Sequence, residues 1–147
     1  MKHVNLTFEV QQRLEGQNVP EKLQVLMDLV RLVNKHYRVY RKPSFYAEKL
    51  RVKEFTLNQY CLTWLQMSTY ELIQDKIHNE ALRLLMTTDW SAKMIAYEIG
   101  CSDPGYFSRC FKKKTGFSPK RYRLSAQKMM MSTFYENTMV NSANRFG

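Results

Sequence analysis

From Pro20 onward, apolar positions recur at helical spacing between short polar breaks, and no run shows the period of two of a half-buried strand. Leu23, Leu26, Met27, Val30, Leu32 and Val33 form a broad stripe that predicts a first helix from near Pro20 to about Tyr37. Asn18 and Glu21 stand at capping-box spacing at its start. After a basic linker over 37–43, Ser44 is placed to cap a short helix ending at Leu50. A turn at Arg51 and Val52 leads into a helix over 53–65, with Leu57, Tyr60, Cys61 and Trp64 on one face.

Ser68 and Glu71 repeat the capping-box spacing. They open a long helix to about Thr87, carried by Leu72, Ile73, Ile77, Ala81, Leu84 and Leu85. About 19 residues at ~1.5 Å each make a rod of roughly 28 Å. Ser91 is placed to cap a helix through Ile99, which Gly100 ends in the left-handed conformation. Ser102 is placed to cap the next helix, from Asp103 to about Thr115, with Pro104 tolerated in its first turn and Gly116 beyond its end. Ser118 and Pro119 start the last helix. From Met129 onward the chain is polar and methionine-rich, and fraying is expected. The fold class is therefore all-α, with about seven helices.

Two segments of this pattern match each other. Ala47, Leu50 and Val52 align with Ala96, Ile99 and Cys101, and Leu57, Asn58, Cys61 and Ser68 align with Phe107, Ser108, Phe111 and Ser118. The register changes by one residue in the turn between the two sets, where insertions cost least. Helix, tight turn, helix and a capped helix start occur in the same order twice. That arrangement predicts two helix-turn-helix units joined by the long helix. The boundaries expected are a lead-in over 1–19, a first unit over 20–68, a linker helix over 69–87, a second unit over 88–128 and a tail over 129–147.

Charge gives this architecture a partner. Lys plus Arg number 23 against 13 Asp plus Glu, a formal net charge of +10. Between Asp103 and Glu136 there is no acidic residue, yet Arg109, Lys112, Lys113, Lys114, Lys120, Arg121, Arg123 and Lys128 all fall there. A one-sided basic block on a helix-turn-helix is the footprint of a phosphate-binding surface. Cys61, Cys101 and Cys110 lack metal spacing and sit among apolar residues, so reduced, packed thiols are expected. His3, His36 and His78 are scattered, and His78 reads as a packed histidine on the linker helix. No enzyme motif, paired carboxylates, phosphate loop or metal cluster is visible, and no cofactor is expected. No apolar run approaches the ~20 residues of a membrane span. The N-terminus, with Glu9 and Glu15, does not resemble a secretory signal.

The helical wheel separates inward from outward residues in the two recognition helices. Phe107, Cys110 and Phe111 are expected to face the core, which turns Gly105, Arg109 and Lys112 outward, with Ser108 and Lys113 beside them and Tyr106 at the boundary. Arg109 is the foremost candidate for reading a base, because a guanidinium bonds guanine O6 and N7 together. Tyr106 is placed either to touch DNA or to pack as a half-buried aromatic. Lys112 and Lys113 are expected to neutralise phosphates, as are Ser102 and Ser108 beside them. The amides after Ser118, with Lys120 and Arg121, form a further expected phosphate site. In the first unit the same geometry turns Phe55, Gln59 and Leu62 outward, flanked by Asn58 and Thr63. Asn58 and Gln59 match adenine, Phe55 can touch a thymine methyl, and Lys53 is the nearby cation.

The stretch from Ile95 to Arg123 reads Ile-Ala-x-x-Ile-Gly-x-Ser-Asp-x-x-Tyr-Phe-Ser-Arg-x-Phe-Lys-Lys-x-x-Gly-x-Ser-Pro-x-x-Tyr-Arg. Together with Glu80-Ala-Leu-Arg-Leu-Leu85 and Phe45-Tyr-Ala-Glu-Lys-Leu50, it resembles the AraC/XylS family of bacterial transcription regulators. The resemblance implies a seven-helix, two-lobed DNA-binding domain whose recognition helices enter successive major-groove segments. It also implies base-reading positions around Gly105, contact with RNA polymerase, action as an activator, and a cytoplasmic, nucleoid-associated location. The reading head is expected to bind double-stranded DNA as a monomer without any membrane, and a full-length parent can be dimeric. An alternative reading makes the chain an adaptor. In it the second unit holds DNA, and the first, with Leu62 where the second has Lys112, holds a protein partner.

Overall fold

The structure, a computed structural model, describes residues 20–145; the lead-in over 1–19, with Asn18 and His3, lies outside the described residues. Among the described residues the chain forms α1 (Glu21–His36), α2 (Pro43–Lys49), α3 (Glu54–Leu65), α4 (Thr69–Thr87), α5 (Ala92–Glu98), α6 (Pro104–Thr115) and α7 (Pro119–Arg145), and no strand. It divides into two compact units, one ending at Asn79 and the other starting at Glu80, so each takes part of α4.

In the first unit α1, α2 and α3 pack on one another around Leu29, Tyr46, Leu57, Cys61 and Ile73, all without solvent exposure. Tyr46 is the largest of these, and its hydroxyl donates to the Tyr40 carbonyl at 2.6 Å. Burial pushes that phenol up to about 12. Phe45 stacks on Tyr40 with ring centroids 3.8 Å apart and meets His36 edge-on, which ties the linker after α1 to the start of α2. Thr69, 1% exposed, donates from its hydroxyl to the Cys61 sulfur, and burial raises that thiol's pKa. In the second unit α5, α6 and α7 pack around Ile95, Ala96, Ile99, Phe107 and Phe111, with Tyr122 edge-on to Phe111 at 5.5 Å.

The internal repeat is reproduced at the level of single hydrogen bonds. Val52 N–H donates to Ala47 C=O at 3.1 Å, and Cys101 N–H donates to Ala96 C=O at 2.8 Å. Both are the long closing bond of a Schellman helix end. That motif requires a left-handed residue, and it is Arg51 (φ 57°) in one unit and Gly100 (φ 83°) in the other. The recognition helices also end on a left-handed residue, Gln66 (φ 56°) and Gly116 (φ 84°), and Gly116 N–H donates to Lys112 C=O at 2.7 Å. The first unit thus holds two ordinary side chains where the second has glycine.

The caps fall close to the sequence pattern, with three shifts, the first at α1, where Pro20 holds the cap position and Glu21 is the first helical residue instead of the third of a capping box. Ser68 and Glu71 form the reciprocal capping box, Ser91 accepts from Met94 N–H, and Ser118 accepts from Arg121 N–H. Ser44 is not a cap: Pro43, with its preset φ and no N–H to satisfy, is the first helical residue and Lys42 precedes it. Ser102 is not a cap either. Pro104 holds the residue before it extended, and Asp103 there accepts from Tyr106 N–H at 3.0 Å. The helix begun at Pro119 does not fray at Met129 but runs to Arg145, through a segment free of glycine and proline.

Candidate nucleic-acid interface

In the second unit α6 is anchored by Phe107 and Phe111, and everything needed for an anion lies on its other side. Gly105, Tyr106, Arg109, Lys112, Lys113 and Lys114 are exposed, and Ser108 is half-buried at the margin. The Arg109 side chain is 71% exposed and folds back along the first turn, where its guanidinium lies 4.0 Å from the Asp103 carboxylate. Asp103 therefore does two things with one side chain: Oδ1 caps the helix and Oδ2 faces Arg109. Gly105 makes room for this. A Cβ there would stand 3.3 Å from Arg109 Nη1 and 3.3 Å from Asp103 Oδ1, tighter than ordinary contact.

Cys110 does not join the core face as expected; it is exposed. At 100° per residue the buried direction lies between Phe107 and Phe111, and Cys110 stands well to one side of it. Ser102 is exposed and leaves the capping role to Asp103. Ser118 is half-buried, with Lys120 and Arg121 exposed beside it at the start of α7. Arg123 has a different task from its basic neighbours. Its Nε donates to Leu85 C=O at 2.9 Å and its Nη2 to Trp90 C=O at 2.6 Å, which satisfies carbonyls at and beyond the end of α4.

In the first unit α3 presents a chemically different face. Phe55 is 74% and Leu62 44% exposed, and Gln59 and Thr63 are exposed with them. Asn58 is not available to a base as expected. Its amide oxygen accepts from Thr69 N–H at 3.0 Å, so the side chain turns inward and bonds the first residue of α4. Trp64 lies 47% exposed in the last turn rather than within the core face, as an indole of its size often does. Lys53 is the exposed residue before α3, with exposed Glu54 beside it. The helix start that follows also differs between the units. At α4 the Glu71 carboxylate lies 2.7 Å from Ser68 N–H, whereas the equivalent position at α7 is Arg121.

Sequence reasoning missed three side-chain placements: the double use of Asp103, the internal hydrogen bonds of Arg123 and the inward turn of Asn58. Only the first had a local signal, an acidic residue directly before a helix-starting proline. No helix among the described residues is long and apolar enough to cross a membrane.

Two short helix pairs, each with a second helix braced from behind and exposed in front, define a helix-turn-helix protein. A family model described as a helix-turn-helix domain matches residues 46–125, more than half of the chain, and the chain belongs to this family of AraC-type DNA-binding transcription regulators. The match spans both units, which does not favour the reading of the first as a relic kept for a protein partner. The chain is 40% identical over 73 residues to the uncharacterized HTH-type transcriptional regulator YfiF of Bacillus subtilis, covering 50% of this chain and 23% of that protein. The C-terminal domain of the two-component response regulator yesN from Fusobacterium nucleatum has a similar structure: TM-score 0.60 and 26% identity over 65% of this chain and 93% of that one. The DNA-binding domain of AdpA, solved in complex with a target DNA, shares the fold with TM-score 0.64 and 20% identity, covering 71% of this chain and 94% of that one. The chain spans less than a third of the length of the curated relatives it matches.

Proposed function

We propose that this chain is the DNA-reading head of a transcription regulator and that it docks α6 and α3 into successive major-groove segments of double-stranded DNA. The observation that carries the reading is the exposed Arg109 guanidinium on α6, flanked by exposed Lys112 and Lys113 on a helix whose opposite face is buried. Arg109 reads guanine, Lys112 and Lys113 hold phosphates, and the start of α7 with Ser118, Lys120 and Arg121 holds another. Gly105 lets the helix backbone approach the base edges, and exposed Tyr106 lies against the groove wall. Ser102 and Ser108 flank this surface, and in the first unit Gln59, Phe55 and Lys53 face the duplex. The head works as a monomer in the cytoplasm at the nucleoid, and a parent protein activates transcription by touching RNA polymerase.

The test is selection of duplexes from a random pool, followed by affinity measured across salt. Log K is expected to fall by about 0.9 per phosphate contact per decade of salt. Arg109→Ala is expected to cost about 5–150-fold in preference for the chosen guanine. Lys112→Gln with Lys113→Gln is expected to flatten the salt slope by about 2. An affinity indifferent to salt, or a base preference unmoved by Arg109→Ala, would overturn the reading.

A further inference from the structure

The outward face of α6 carries Arg109, Lys112, Lys113 and Lys114, while α3 between Glu54 and Gln66 carries no cation at all. Its equivalent residues are Phe55, Gln59 and Leu62, exposed and spaced as one stripe along the helix. Phe55 and Leu62 lie seven residues apart, about 10.5 Å along the axis at ~1.5 Å per residue, roughly three base-pair steps of ~3.4 Å. The cations nearest α3, Lys49, Arg51 and Lys53, all precede the helix, and the capping amide before α4 is already taken by Glu71. Asn58, the other polar side chain of the pattern, is committed to Thr69.

A recognition helix without cations is left with neutral hydrogen bonds and apolar contact to base edges. In the major groove the one apolar group is the C5-methyl of thymine. We infer that α3 is a methyl reader: Phe55 and Leu62 pack on thymine methyls, and Gln59 between them bonds an adenine N6 and N7. The α3 helix then selects an A·T-rich half-site without phosphate contacts of its own, whereas α6 selects guanine with Lys112 and Lys113 beside it. This inference rests on the DNA-reading function proposed above.

The experiment replaces thymine by deoxyuridine, which removes only the methyl. On a duplex selected by the full chain, deoxyuridine in the half-site of the first unit is expected to weaken binding about fourfold per contacted methyl, from the ~0.8 kcal/mol of one buried carbon. The same replacement in the half-site of the second unit leaves affinity unchanged. Phe55→Ala with Leu62→Ala is expected to abolish the thymine–deoxyuridine difference while the salt slope and the Arg109-dependent guanine preference persist. Both side chains are exposed, so an unchanged thermal unfolding curve verifies that the variants stay folded. If deoxyuridine has no effect at any position while the guanine preference persists, the methyl reader is refuted and the stripe faces something other than DNA. If no sequence is preferred at all, the proposed function fails together with it.

Discussion

Gln66 and Gly116 hold the same left-handed position at the ends of α3 and α6, and exchanging their chemistry gives opposite results in one molecule. An L-residue in this region is strained by about 1–2 kcal/mol, whereas glycine enters it freely but loses about 0.5–1 kcal/mol more backbone entropy on folding. At Gly116 (φ 84°) a Cβ would meet nothing within 4 Å, so Gly116→Ala has no steric part and only the backbone term remains. Strain less the entropy recovered is expected to destabilise the second unit by about 0.5–1 kcal/mol. Gln66 (φ 56°) is exposed and no hydrogen bond of its side chain ties it down, so Gln66→Gly relieves strain at the cost of entropy. The net expected is a gain of about 0.5–1 kcal/mol. Urea unfolding followed by far-ultraviolet circular dichroism measures both as shifts in midpoint at constant slope. Destabilisation of more than about 0.5 kcal/mol by Gln66→Gly would refute the argument and show that the left-handed turn is held by the glutamine side chain.

Arg123→Met removes the donors to two carbonyls, and a loss of about 2–4 kcal/mol is expected; Arg123→Lys should restore less than half, because an ammonium cannot fork to both. Thermal unfolding of the three proteins checks it. Asp103→Asn keeps an N-cap acceptor but removes the charge beside Arg109. In binding assays the affinity for random DNA should rise while guanine selectivity falls, and unchanged selectivity would show that Asp103 does not position Arg109. Tyr46 holds its proton to about 12 in the folded state and releases it at its ordinary value of 10.0 when unfolded. Its contribution is thus fully present below pH 10 and is lost as pH rises from 10 toward 12. Tyr46→Phe should lower stability by about 1 kcal/mol at neutral pH and remove this alkaline decline, which urea midpoints measured against pH would reveal.

Much of the fold was legible because helix ends are written in single residues. Ser68, Ser91 and Ser118 mark starts, and Gly100 and Gly116 mark stops, each through a local hydrogen bond or torsion. The outward faces of α3 and α6 were legible for a similar reason, since helical period alone fixes which side opposes Phe107 or Leu57. What escaped depends on partners distant in sequence. Asn58 finds Thr69 eleven residues on, and Arg123 reaches back to Leu85 and Trp90. Composition places both among polar surface residues, and only the packed chain shows the Asn58 amide oxygen and the Arg123 guanidinium engaged within the protein. Arg51 and Gln66 were hidden differently: the tertiary fold imposes the torsion that glycine would have announced.

Of the three thiols, Cys61 is buried and Cys101 partly covered, while Cys110 stands open on the very helix that carries Arg109. The native chain therefore arrives with its own attachment point for a maleimide dye. Labelling speed with and without duplex reports, in unmutated protein, whether that helix becomes shielded.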